Sequence, residues 1–144
     1  MSDHVKVKFD LPVDDDGWPP VNVEGMWAIP IGNDRYRIDN IPFYALGISD
    51  GDVVIAVNDA DGGLVFQSLD TMSPFSTIRI AIADHDSKQT ARNEFSEIGC
   101  ESEGMNGNLF ALSIPSDRLD DAMNLIHAGE ATGRWDWEEG AIRA

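Results

Sequence analysis

Between Arg35 and Val57 the chain reads RYRIDNIPFYALGISDGDVVIAV, and no other stretch limits the possible folds so tightly. Two strand-like segments, Arg35–Asp39 and Val53–Val57, flank an apolar loop with one proline, Ile41 to Ile48. That loop follows neither the helical nor the strand period. Asp50-Gly51 supplies the turn into the second strand. An apolar run without periodicity is either buried under another part of the chain or meets another molecule. We expect burial at a junction between two halves of the protein, with Phe43 and Tyr44 as candidate residues of a seam site.

The segments around it read as strands and hairpins. Val5 to Leu11 alternates apolar residues with Lys6, Lys8 and Asp10, the pattern of a half-buried strand. Asp14-Asp15-Asp16-Gly17-Trp18-Pro19-Pro20 breaks any ladder and is a loop. Val21 to Ile31 is long enough for a strand bent near Gly25, and Asn33-Asp34 turns it into Arg35. Asn58 to Gly63 is a further turn before Leu64–Leu69. Residues 1–76 therefore predict an antiparallel β-sheet or a small, partly open barrel.

Beyond Ser73-Pro74 the rhythm changes. Thr77–Ala83 is a strand with Ile78, Ile80 and Ile82 on one face. Asp84 to Ser87 caps a helix that carries Ala91, Phe95 and Ile98 and stops at Gly99. Cys100–Gly104 and Leu109–Ile114 flank Asn106-Gly107, a hairpin signal. Asp117 caps a second helix with Leu119, Ala122, Met123 and Ile126 as its buried stripe. Residues 77–144 thus predict a ferredoxin-like β-α-β-β-α unit. Its fourth strand is expected to be missing or reduced to a short piece near Arg134–Trp137. The fold class is α+β, with both subdomains sharing one core.

Composition narrows the function classes. The 144 residues carry a formal net charge of −16. The first 76 hold 13 acids against 4 bases, and the remainder 13 against 6, so the excess is spread rather than held on a tail. Such a chain repels nucleic acid and anionic membrane and steers a basic protein toward it. No apolar run approaches the length of a membrane span, and residues 1–11 show no apolar signal segment. A cytoplasmic protein is expected. The single cysteine, Cys100, allows no internal disulfide and no CxxC metal site.

Catalytic chemistry finds little purchase. His4, His85 and His127 have no metal spacing and no neighbouring nucleophile motif. His85, between Asp84 and Asp86, has the setting of an acid/base group, and equally that of a surface residue in a helix cap. Neither Asp14–Asp16 nor Asp59–Gly63 has calcium-loop spacing. Cys100, just past a helix C-terminus, reads as a half-buried strand residue rather than a thiolate. No metal, cofactor or catalytic residue is assigned.

The sharper features are two clusters of acids and tryptophan: Asp14, Asp15, Asp16 with Trp18, and Trp135, Asp136, Trp137, Glu138, Glu139. Tryptophan anchors interfaces, and carboxylates around it select a basic partner. The competing reading has Trp135 or Trp137 tucking the C-terminal segment onto the domain.

Four motifs occur in order: DGWPPV at Asp16–Val21, YRIDNIPF at Tyr36–Phe43, GDVV at Gly51–Val54 and GRWDWEE at Gly133–Glu139. In these the chain resembles the bacterial family defined by domain of unknown function 4265, over nearly its whole length. The resemblance implies a small bacterial cytoplasmic protein and carries no activity with it. Three readings follow. The first is a non-catalytic acidic protein that neutralises or regulates a basic partner, such as an immunity protein against a toxin. The second is a small-molecule-sensing module with an apolar pocket between the halves, roofed by Ile41–Ile48. The third is an enzyme built on dispersed carboxylates such as Asp39, Asp50 and Asp52.

Overall fold

A computed structural model describes residues 4–105 and 107–144. Asn106, half of the hairpin signal above, lies outside the described residues. The first five strands are β1 (Val5–Asp10), β2 (Val23–Gly32), β3 (Arg35–Ile38), β4 (Val53–Asn58) and β5 (Leu64–Thr71). They form a closed barrel, not an open sheet. Four of the five pairings are antiparallel, as hairpin connections require; the closing pair, β1 with β5, is parallel. Sequence patterning missed the closure because β1 and β5 meet through only Val7–Leu64 and Lys8–Val65. The seam is reinforced by Lys8 Nζ, 2.6 Å from Asp59 Oδ2.

Local chemistry sets the turns. Asn33 and Asp34 both adopt positive φ, 57° and 61°, as a two-residue hairpin turn demands. Asp59 Oδ1 accepts from the N–H groups of Asp61 and Gly63 at 3.0 and 2.8 Å, so this acid-rich loop is a side-chain-tied turn. Within β2 the register shifts near Pro30 and Gly32 rather than at Gly25. Alternation then points Met26 and Ala28 inward with Val7, Phe9, Ile38, Val54 and Ala56, and leaves Trp27 outside beneath Lys6.

The second unit comprises β6 (Phe75–Ile82), α1 (Lys88–Ile98), β7 (Glu101–Gly104), β8 (Leu109–Pro115), α2 (Leu119–Ala131) and β9 (Trp135–Ala141). Its sheet runs in the order β7-β8-β6-β9, all neighbours antiparallel. The expected stub near Arg134–Trp137 is therefore a full strand of seven residues. Its Asp, Gly and Glu content disguised it, since those residues are poor strand formers. Asp84 accepts from Asp86 N–H ahead of α1, and Gly99 ends that helix at φ 104°. Asp117 is not a cap: it sits within a short 3-10 turn, Ser116–Arg118, and α2 begins without a side-chain cap.

Both helices cover one face of this sheet. Ile78, Ile80 and Ile82 meet Phe95, Phe110, Leu112, Ile126 and Trp135 there. The barrel interior is a separate apolar cluster that takes in Ala45 and Ile48 from the loop after β3. The other face of the sheet carries Thr77, Arg79, Ala111 and Ser113, all buried. Strand β6 is thus covered on both sides from Ser76 to Ile80, with apolar residues toward the helices and polar Thr77 and Arg79 toward the barrel, while Ala81 is exposed.

Candidate functional site at the mouth of the barrel

The loop Ile41–Ile48 is held by two opposite charges. From β2, Glu24 stands opposite Phe9 of β1 and is buried. Its carboxylate accepts from three successive N–H groups: Phe43 at 2.7 Å, Tyr44 at 3.0 Å and Ala45 at 2.8 Å. From β6, Arg79, 1% exposed, donates to the carbonyls of Ala45 and Tyr44, each at 3.0 Å. The same peptide groups therefore face an acid through their N–H and a base through their C=O. Each buried charge is satisfied by charge-assisted bonds rather than by direct pairing with the other. No periodic pattern encodes this, because neither Glu24 nor Arg79 is near the loop in sequence.

Further contacts lock the barrel to the sheet. Gly47 N–H donates to Gly140 O at 2.7 Å, and the hydroxyls of Ser49 and Thr77 lie 2.7 Å apart. Asp52, fully buried, accepts from Ser49 N–H at 2.8 Å, Ser73 N–H at 2.7 Å and Arg143 Nη2 at 2.8 Å. Gly140 is required by the seam: a Cβ there would lie 2.3 Å from Arg79 Nη1.

Where the loop meets the barrel end, a cavity of about 450 Å³ opens. Phe9, Leu11, Ala45, Ile48 and Phe66 line it with apolar surface, and Phe9 and Phe66 stack with centroids 4.7 Å apart. Trp18 and Tyr44 meet edge to face at 5.6 Å. Three carboxyl groups, Asp10, Asp14 and Glu138, also line it. Glu138 Oε1 accepts from Arg79 Nε at 3.2 Å, which links the cavity to the clamp on the loop. Burial, followed by Glu24, raises the Tyr44 phenol above its ordinary range, so it stays a neutral donor.

The predicted site residues divide sharply. Asp14, Trp18, Tyr44 and Glu138, far apart in the chain, come together at the cavity. Asp14 Oδ1 also accepts from the N–H groups of Asp16 and Trp18 at 3.0 and 2.9 Å, shaping its own loop. Asp15 and Asp16 are exposed beside it. Phe43 is half-buried and offers its N–H to Glu24, without lining the cavity. Trp135 does not join a partner surface: it is 2% exposed and its Nε1 donates to Ile126 O at 2.9 Å. Trp137 packs on the same helical side, edge-on to His127 at 5.5 Å. Asp136 and Glu139 are exposed on β9 outside the cavity. Glu24, Phe66 and Arg79 also build the site, and the sequence marks only one of them, Arg79, by its place between isoleucines in TIRIAIA.

The remaining ionisable groups offer less. His85 is exposed and its Nδ1 lies 3.1 Å from Asn108 Oδ1. Cys100 is buried, and desolvation pushes its thiol up to about 11, which keeps it an inert core residue. Asp50 accepts from Asn40 N–H at 3.1 Å, and burial raises its carboxyl to about 6. Among the described residues no cluster of three or more His, Cys, Asp or Glu is arranged to hold a metal. No described helix is long and apolar enough to cross a membrane.

A barrel joined through a polar seam to a helix-covered antiparallel sheet has a counterpart among solved structures. The crystal structure of a hypothetical protein from Neisseria gonorrhoeae matches with a TM-score of 0.84 and 18% identity, over 100% of this chain and 99% of that one. That likeness concerns the fold. The chain belongs to the family described as domain of unknown function DUF4265, which it matches over residues 24–137. No curated protein matches it.

Proposed function

We propose that this is a non-catalytic acidic binding protein that neutralises or regulates a basic protein partner, as an immunity protein does a toxin, and that the barrel mouth is its contact site. The observation that carries this reading is the convergence of Asp14, Trp18, Tyr44 and Glu138 on one cavity with an apolar floor. An aromatic pocket gives burial energy, while carboxylates around it select positive charge and speed encounter. The net charge of −16 extends the same preference over the whole surface. The order β-α-β-β-α-β supports reading residues 77–144 as a ferredoxin-like unit that serves here as the frame for the loop clamp.

Affinity capture from the source cell, at low and high salt, tests this. The expected result is a basic protein retained at low salt and released at high salt, and lost with Asp10→Lys, a change at an exposed position on the cavity wall. A retained partner that ignores both salt and Asp10→Lys would remove the barrel mouth from the reading. The second reading, a small-molecule sensor, is favoured by one observation. The cavity volume of about 450 Å³ falls within the roughly 300–1,000 Å³ of small-ligand pockets. Thermal-shift screening that finds a metabolite, with no protein captured, would put it first.

A further inference from the structure

Apolar surface at the mouth does not stop at the cavity wall. Leu46, 70% exposed, lines the cavity from the loop after β3. Trp18, 44% exposed, faces it from the loop after β1. Val13, 47% exposed, lies on that same loop between the lining residues Pro12 and Asp14. Single exposed apolar side chains occur elsewhere on this surface, Met72 and Trp27 among them, but here three gather at the rim of one cavity, and such clustering is what marks a contact surface. Leu46 is also not loose: Gly47 N–H is pinned to Gly140, and Ala45 is clamped from both sides. The lip is therefore presented on rigid backbone, which lowers the ordering cost of any contact it makes.

Size separates the occupants. A small ligand that fills the cavity leaves Leu46, Val13 and the outer face of Trp18 in water. A chain segment that inserts one side chain covers them with its flanking backbone. Charge then sets the flanks, because Asp10, Asp14 and Glu138 all sit at this cavity and no lysine or arginine lines it.

We infer that the barrel mouth is a socket for a short segment of a protein chain, in which one aromatic or long aliphatic side chain enters the cavity beside the Trp18–Tyr44 pair, over the floor of Phe9, Ile48 and Phe66, and lysine or arginine beside it meets Asp10, Asp14 and Glu138. This rests on the binding reading above and adds the form of the ligand. The inserted side chain supplies affinity, and the flanking bases supply register and selectivity. Leu46 acts as the hydrophobic rim that shields those ion pairs from water.

The test is titration of the full chain, followed by backbone and tryptophan-indole NMR, with four probes: acetyl-Lys-Phe-Lys-amide, acetyl-Glu-Phe-Glu-amide, acetyl-Lys-Ser-Lys-amide and phenethylamine. The first is expected to give saturable shifts at Trp18, Tyr44 and Leu46. Loss of either the phenyl group or the positive charge weakens it at least about tenfold. Leu46→Asp and Trp18→Ala, both at exposed positions that leave the fold intact, abolish the shift at Tyr44, a resonance that both variants retain. If phenethylamine binds as tightly as Lys-Phe-Lys and Leu46→Asp is harmless, the segment inference is wrong while the cavity stands as a small-ligand site. If no probe moves the mouth resonances, the inference is also wrong. The parent reading then falls only if Asp10→Lys fails to release the captured partner.

Discussion

The loop around Asp14 to Trp18 and strand β9 (Trp135–Ala141) carry the same ingredients, tryptophan among carboxylates, and have opposite fates. In the loop, Asp14 folds the backbone over itself and leaves Trp18 edge to face with Tyr44 at the rim of an open cavity. In the strand, alternation sends Trp135 and Trp137 under the helices and sends Asp136 and Glu138 to the other face. Gly129 of α2 makes that burial possible, since a Cβ there would stand 2.1 Å from the Trp135 ring. Arg134 lies over the same indole at 4.6 Å and pairs with Glu94 of α1 at 2.5 Å, sealing its edge. Tryptophan with acids is therefore not by itself an interface signature. What decides is whether the backbone beneath is a ladder strand with a helix to cover it or an isolated turn.

This contrast can be broken experimentally. Trp135→Ala should cost about 3–5 kcal/mol by leaving a cavity between sheet and helices, read as a lower urea midpoint. Trp18→Ala should leave that midpoint almost unmoved, within about 0.5 kcal/mol as for other surface changes. Equal losses for the two would mean that the exposed tryptophan is structural as well. Next in size is Arg79→Met, which fills similar space but strips the donors from the loop. The Ala45 carbonyl alone, left buried without a partner, should cost about 1–3 kcal/mol. Hydrogen exchange should then accelerate in residues 43–47 more than in the barrel strands. Glu24→Gln keeps one acceptor oxygen and should cost less, about 1–2 kcal/mol. An exchange rate in the loop unchanged by either substitution would show that the two-sided clamp is not what orders it.

The smallest expected effect is a pH dependence from Asp50 and, with the same sign, Glu103. Burial raises Asp50 from its ordinary 3.8 to about 6 and raises Glu103 as well. The folded state therefore holds protons that the unfolded chain has already released between these values. Stability contributed this way is highest below about pH 4 and declines as pH rises through about 6. Asp50→Asn, which keeps an oxygen for Asn40 N–H, should remove much of that decline. The gap between variant and parent in urea midpoint should widen in the variant's favour from pH 4 to pH 6.5, by less than about 1 kcal/mol because half of the group is solvent-screened. A gap that stays constant over this range would place Asp50 in a more solvated setting.

Much of the local architecture was readable. Turn residues at Asn33-Asp34, Asp50-Gly51 and Asp59 to Gly63, and alternation in β1 and β6, act within a few residues and leave a local imprint. The closure of the barrel left none, since β1 and β5 contribute a two-pair parallel contact across more than fifty residues. Strand β9 was undercut by its own composition, because tertiary pairing with β6 overrode weak strand propensity. For the site, Asp14, Trp18, Tyr44 and Glu138 were each visible as candidates, but they were assigned to three separate features. Phe66 and Glu24 looked like ordinary strand residues.

The sequence by itself determined the acidic surface, the two strand-rich and helix-bearing halves, and the presence of an apolar loop from Ile41 to Ile48 that had to be covered. These follow from residue type and short-range periodicity, which need no knowledge of distant neighbours. Only the tertiary structure decided what that loop does. Its backbone is held between Glu24 and Arg79, its inner residues Ala45 and Ile48 fill the barrel end, and the Leu46 side chain is left in water. The reason is physical: a loop without periodicity takes its conformation from the charges and surfaces packed against it, and here those arrive from β2 and β6.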